Sequence, residues 1–137
     1  MTGKRGFAAR AGLRGFTLLE MITVVAIMSV LVAIALPNYK VAIIQSKEAV
    51  LREDLYRFRD LIDQYYADKG HYPESLETLV TEGYMRKLPV DPMTRQADWE
   101  MVPAEVDPDN PQETPGVYDV HSASTDLSMN GTPYNEW

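Results

Sequence analysis

One acidic side chain stands alone in a long apolar run. From Phe16 to Leu36 the chain reads FTLLEMITVVAIMSVLVAIAL, 21 residues whose single charge is Glu20. A carboxylate inside a lipid-facing helix costs roughly 2.5–3.5 kcal/mol on insertion scales. The chemistry open to Glu20 is therefore charge pairing. Two placements satisfy it: solvation near the headgroups, or pairing with a cation from another molecule, because the span holds no base of its own. The second placement points to assembly. Other candidates for chemistry are weak. His71 and His121 have no carboxylates at ligand spacing, and Ser122, Ser124 and Ser128 lack a nucleophile elbow. There is no glycine-rich phosphate loop. With no cysteine, the chain forms no disulfide, thiolate metal site or cysteine nucleophile. No catalytic constellation emerges, and an enzyme is not expected.

The element that must position Glu20 is a helix. At about 1.5 Å per residue, 21 residues rise roughly 31 Å, the thickness of a bilayer core. A secretory signal peptide has a shorter apolar stretch and a small-residue cut site, whereas this run ends in Leu36-Pro37-Asn38-Tyr39. A simple membrane anchor accounts for everything except Glu20. Charge is divided along the chain. The first 15 residues carry Lys4, Arg5, Arg10 and Arg14 and no acid, so this basic leader stays on the cytoplasmic side. The remainder carries 20 acids against 9 Lys and Arg, a net of −11. Such a remainder repels nucleic acid and anionic lipid heads and reads as an acidic, soluble surface. Aromatic residues do not interleave with basic ones, so no nucleic-acid partner is expected.

Beyond Pro37, which should kink or locally melt the helix, the pattern becomes amphipathic. Ile44, Leu51, Leu55, Phe58, Ile62 and Tyr65 form one helical stripe. Lys47, Glu48, Arg52, Glu53, Arg57, Asp60 and Asp63 occupy the other faces, with Glu48–Arg52 and Glu53–Arg57 as acid-first i,i+4 pairs. The stripe covers about three heptads with mixed-sign flanks, which favours packing on the chain's own globular part over a coiled-coil dimer. The helix should end at Lys69-Gly70, where glycine takes the left-handed cap.

The rest reads as a small globular cover. Residues 75–82 form a short helix ended by Gly83. Leu88 to Thr94 is extended or turning, because two prolines forbid a helix. Ala97 to Val102 is a strand with Trp99 and Met101 on one face, and Val117 to His121 is a second. A third short strand is expected at Tyr134–Trp137. Pro103 to Pro115 is an acidic, proline-rich loop. Trp99 and Trp137 read as packing residues. The class is α+β: a long N-terminal helix, apolar then amphipathic, packed on a small antiparallel sheet within 97–137.

These residues carry a resemblance. Gly15-Phe16-Thr17-Leu18-Leu19-Glu20, after a basic leader and before an apolar run, resembles the cleavage and methylation motif of type IV pilins and type II secretion pseudopilins. Tyr65-Tyr66-Ala67-Asp68-Lys69-Gly70-His71-Tyr72-Pro73, continuing to Leu76, is similar to the helix exit of the major pseudopilin. Leu88-Pro89-Val90-Asp91-Pro92 resembles the turn that follows there, and Tyr118-Asp119-Val120-His121-Ser122 and Trp137 are similar to its ending. The resemblance implies residues 1–15 as leader, 16–38 as membrane and assembly helix, and 39–137 as periplasmic domain. It implies that a prepilin peptidase cuts between Gly15 and Phe16 and that Phe16 becomes the N-methylated terminus. Glu20 would then pair with a neighbouring subunit's amine, with Pro37 as the family's helix interruption. The implied setting is the inner membrane, from which a homopolymeric periplasmic filament grows with minor pseudopilins on an assembly platform. The implied function is a subunit of the secretion pseudopilus. The alternatives are the major subunit of a type IV pilus and a membrane-tethered periplasmic binding module. The resemblance also implies calcium in a loop before the C-terminus, here Ser122 to Gly131. Asp126 is its one matched carboxylate, Asn130 and Asn135 offer amide oxygens, and the loop is shorter than the family's, with no evident second carboxylate beyond Glu136.

Overall fold

The structure, a computed structural model, describes residues 2–3, 15–111 and 114–137. The leader's Lys4, Arg5, Arg10 and Arg14, and Gln112 and Glu113 of the acidic loop, lie outside the described residues. The chain divides into two compact units, Met1–Tyr39 and Lys40–Trp137. Helix α1, Leu18–Lys69, contributes to both. It is α+β and pilin-like: the long N-terminal helix, a short α2 (Leu76–Thr81), and a two-stranded antiparallel sheet of β1 (Glu100–Pro103) and β2 (Val117–His121).

In the first unit every described residue from Gly15 onward is exposed, on all faces of the helix. A helix apolar all round has to be covered by lipid or by other helices, and α1 is long and apolar enough to cross a membrane. Two hydroxyls within its apolar stretch are internally satisfied: Thr23 Oγ1 donates to the Leu19 carbonyl and Ser29 Oγ to that of Val25, each at 2.8 Å. Pro37 does not melt the helix: α1 continues through it in helical conformation. The missing N–H costs one bond to Ala33, and the surrounding turns keep the chain helical.

In the second unit the core forms where α1 is amphipathic. Leu51, Leu55, Phe58, Ile62 and Tyr65 are buried together with Leu76 and Leu79 of α2, Trp99, Val117 and Val120 of β2, and Tyr134. The stripe starts one turn later than its hydrophobic pattern suggests. Ile44 is 41 % exposed, and Glu48, expected on a solvated face, is 4 % exposed and takes the position at the head of the stripe. The spacing 48, 51, 55, 58, 62, 65 is itself a continuous helical face.

Glycine and proline set the boundaries. Gly70 has φ 79° and donates its N–H to the Tyr66 carbonyl at 2.8 Å, closing α1 where expected. At Gly116 a Cβ would lie 2.6 Å from both Cβ and the carbonyl oxygen of Tyr72. Only glycine lets Val117 N–H reach the Pro73 carbonyl at 2.7 Å.

The strands correct the sequence reading in three places. β1 begins at Glu100, so Ala97 and Asp98 lie outside it, and Met101 is exposed whereas Trp99 is buried. The Trp99 ring packs edge-on against Phe58 at 5.0 Å, and its Nε1 donates to the Pro89 carbonyl at 2.8 Å. This holds Trp99 ahead of the strand. β2 occupies Val117–His121 as expected, but the register jumps from Val102↔Asp119 to Pro103↔Val117. Tyr118 is thus the extra residue of a bulge, opposite a proline that has no N–H to donate. The bulge shifts the alternation by one, so Val117 and Val120 both reach the core. The third strand is replaced by a 3-10 turn at Tyr134–Glu136. In such a turn residues i and i+3 share a side, which sets Tyr134 edge-on against Trp137 at 5.2 Å. A strand would send the two rings to opposite faces.

Candidate functional site

The first candidate is the start of α1. Gly15, Phe16 and Thr17 precede the helix in non-helical backbone, and Phe16 is 79 % exposed. Thr17 caps the helix: its Oγ1 accepts the Glu20 N–H at 3.2 Å. Thr17-x-x-Glu20 is the order of a capping box, with Glu20 at the third helical position. There the positive end of the helix dipole favours a carboxylate. The Glu20 side chain is exposed and forms no ion pair among the described residues. The arrangement can hold an acceptor charge, beside an accessible bond between Gly15 and Phe16, in an otherwise apolar surface.

The second candidate is the loop between β2 and the 3-10 turn. It is fastened to the rest of its unit at both ends. Near its start Ser122 Oγ donates to Asp91 Oδ2 at 2.5 Å, and Asp91 Oδ1 accepts the Met93 N–H at 2.8 Å. Asp91 and Ser122 are both fully buried. Near its end Glu48 Oε1 accepts the Met129 N–H at 2.8 Å and the Tyr134 O–H at 3.0 Å. Arg52 Nη2 lies 3.6 Å from Glu48 Oε2, and its guanidinium covers the Trp137 ring at 4.5 Å. A neighbouring node ties the same end to α1 and β2. Arg59 Nε pairs with Asp119 Oδ1 at 2.7 Å, Arg59 Nη2 donates to the Trp137 carbonyl at 2.8 Å, and His121 Nδ1 lies 2.7 Å from that oxygen.

This burial has a consequence at high pH. Burial first, then the bond to Glu48, pushes the Tyr134 hydroxyl up to about 12. The folded state thus favours neutral Tyr134, and the stability this supplies is complete below the ordinary tyrosine value of 10.0 and lost as pH rises through about 12. Tyr72 and Tyr84 shift in the same direction. Thermal unfolding of the full chain in detergent should therefore show the midpoint falling from about pH 10 toward pH 12, and Tyr134→Phe should make that fall shallower.

Residues 11–36 match the prokaryotic N-terminal methylation motif family. Over 136 residues the chain is 33% identical to type II secretion system core protein G of Escherichia coli strain K12, covering 85% of this chain and 84% of that protein. The chain belongs to the type II secretion system core protein G family. The Pseudomonas aeruginosa member is 29% identical over 134 residues, covering 86% of this chain and 87% of that protein. Fimbrial protein EcpC of Eikenella corrodens is 37% identical over 60 residues, 44% of this chain and 39% of that protein. No solved structure matches the chain.

The calcium that resemblance to the core protein G family implies can be tested against the donors. Calcium takes six to eight oxygens. In the loop Asp126 and Asn130 are exposed and Asn135 is half-buried. Among the described residues no three His, Cys, Asp or Glu side chains gather as a metal cage. Two of the loop's carbonyls accept bonds from the loop itself: the Asp126 carbonyl accepts the Tyr134 N–H at 3.0 Å, and the Ser128 carbonyl accepts the Gly131 N–H at 2.9 Å. Ser122 Oγ also accepts the Ser124 N–H at 3.1 Å, and Ser128 Oγ bonds Thr132 Oγ1 at 3.0 Å. This donor set does not fit the ion.

Two residues of consequence escape a reading of the sequence. Thr17 was visible in principle, since T-x-x-E before an apolar run is a cap signature. Glu48 was not, because its i,i+4 spacing to Arg52 describes an ordinary solvated pair.

Proposed function

We propose that the chain is a structural subunit that polymerises into the pseudopilus of a type II protein secretion system, with no catalytic role. The observation that carries this is Glu20, the one charge in the apolar stretch from Phe16 to Leu36, four residues after Phe16 and exposed with the rest of that stretch. Membership of the core protein G family supports the secretion setting. In this reading the precursor rests in the inner membrane with residues 39–137 on the periplasmic side. A prepilin peptidase cuts between Gly15 and Phe16, and Phe16 is N-methylated. Its amine then meets Glu20 of a neighbouring copy as the apolar helices leave lipid and bury against one another. Minor pseudopilins and an inner-membrane assembly platform are the further partners, and Pro37 is the point where the helix gives during packing.

Breaking a desolvated pair by removing one partner costs about 3–5 kcal/mol. Glu20→Ala in cells carrying the whole system should therefore cut the yield of sheared filament by about 100-fold or more. Its level in the membrane fraction should stay unchanged. Filaments at wild-type yield from that variant would sink the pairing. Intact mass of the membrane protein should show loss of residues 1–15 and gain of one methyl group, and a full-length mass would favour a simple tether.

A second reading, the subunit of a type IV pilus, draws on the match to a fimbrial protein. That match covers 44% of this chain, which is why the secretion reading leads.

A further inference from the structure

Glu48 has no part in the assembly proposed above, yet it is among the most buried charges of its unit. Closing a loop with a cation requires the chain to present oxygens to a common centre. The loop from Ser122 to Tyr134 does the opposite at its two fastening points and presents hydrogens. The Met129 N–H and the Tyr134 O–H converge on one oxygen of Glu48, and the Ser122 O–H reaches Asp91. Both acceptors come from outside the loop. Glu48 lies 81 residues before Met129 and 86 before Tyr134. The positive charge that a buried carboxylate calls for is also supplied from within. Arg52 sits one helical turn on, 3.6 Å from Glu48, and is held in place by the Trp137 ring.

We infer that this chain closes its C-terminal loop with a protein-built lock, Glu48 with Arg52, in place of a divalent cation, and that its fold is independent of calcium. Glu48 is a positioning residue: it fixes the Met129 turn and the 3-10 turn against α1, and through them Trp137. The polarity of the contacts is what separates the lock from a metal site. Two hydrogens point at Glu48 Oε1, and the Arg52 guanidinium lies 3.6 Å from Oε2, so both oxygens of the carboxylate face donors supplied by the chain. The lock is a property of the folded unit, so its failure leaves the filament reading standing, and failure of that reading leaves the lock.

The test is amide hydrogen exchange of the full chain in detergent micelles, comparing residues 122–137 with residues 76–99. Millimolar calcium against chelator should change exchange in 122–137 by less than about twofold. Glu48→Gln keeps the size but weakens the acceptor, and should speed exchange in 122–137 by about 10-fold or more while 76–99 is unchanged. If Glu48→Gln unfolds the whole unit, Tyr134→Phe decides, since it removes one donor and leaves the carboxylate paired; faster exchange in 122–137 supports the lock. Protection of 122–137 by calcium beyond twofold, or unchanged exchange there in the deciding variant, would overturn it.

Discussion

Phe58→Ala should lower the unfolding midpoint of the full chain by roughly 15–30 °C. Phe58 is fully buried and packs edge-on against Trp99. It belongs to a cluster that joins α1, α2 and β2. Truncating a core phenylalanine costs about 3–5 kcal/mol, through lost transfer energy and the cavity left behind. A domain of this size has only about 5–15 kcal/mol to lose. The cavity would open beneath a two-stranded sheet, which is marginal without its cover. Tyr56, two residues away and 70 % exposed, supplies the control. Tyr56→Ala should stay within about 0.5 kcal/mol of wild type. So should Ile44→Ala if the stripe begins at Glu48, whereas a core that included Ile44 would lose about 2–5 kcal/mol. Near-UV circular dichroism of Trp99 during a thermal ramp reads all three.

That comparison shows where the sequence was legible and where it was not. The hydrophobic period of α1 locates Leu51 to Tyr65 because each of those residues faces the same core, and periodicity reports a shared face directly. Gly70 and Gly83 mark helix ends because positive φ is a local demand, met by glycine at φ 79° and 83°. The N-terminal segment that matches the methylation motif was the most legible part, since an acid in an apolar run is conspicuous whatever surrounds it. What failed was everything decided at a distance. Ile44 and Glu48 exchange roles because of a loop more than 80 residues later, which no local pattern contains. The bulge at Tyr118 depends on which residue of β1 it meets. The ending Tyr134-Asn135-Glu136-Trp137 is short and aromatic enough to suggest a strand, yet it forms a 3-10 turn, with both rings and Glu48 on one side of it.

Asp91 carries the same lesson to its largest consequence. It stands in a proline-flanked turn, where an acid ordinarily reads as a solvated turn residue. It is instead fully buried and binds its own turn and a residue 31 positions on. Its backbone closes the turn as well, with the Asp91 N–H on the Gln96 carbonyl at 2.9 Å and the Arg95 N–H on the Asp91 carbonyl at 2.8 Å. Arg95 sits at φ 62°, an unusual conformation for a residue with a side chain, and this turn holds it there. Asp91→Ala should therefore destabilise the unit by about 2–6 kcal/mol, because the half-buried Met93 N–H and the buried Ser122 O–H each lose their acceptor, at about 1–3 kcal/mol for each. One contribution opposes this. Burial chiefly holds the Asp54 carboxyl above its usual range, Glu53 and Asp91 add to that, and Arg57 counteracts it. Removing Asp91 relieves the smallest of these contributions, so it offsets little of the expected loss. Asp91→Asn separates the two effects, since the amide keeps an acceptor oxygen for one donor and drops the charge. Its loss should be smaller than that of Asp91→Ala. The double variant Asp91→Ala with Ser122→Ala should then recover part of the single-variant loss, because the orphaned hydroxyl is gone. Denaturant unfolding of wild type, Asp91→Ala, Ser122→Ala and the double variant measures the cycle, and an additive double variant would mean that the Ser122–Asp91 bond does not link the turn to the loop.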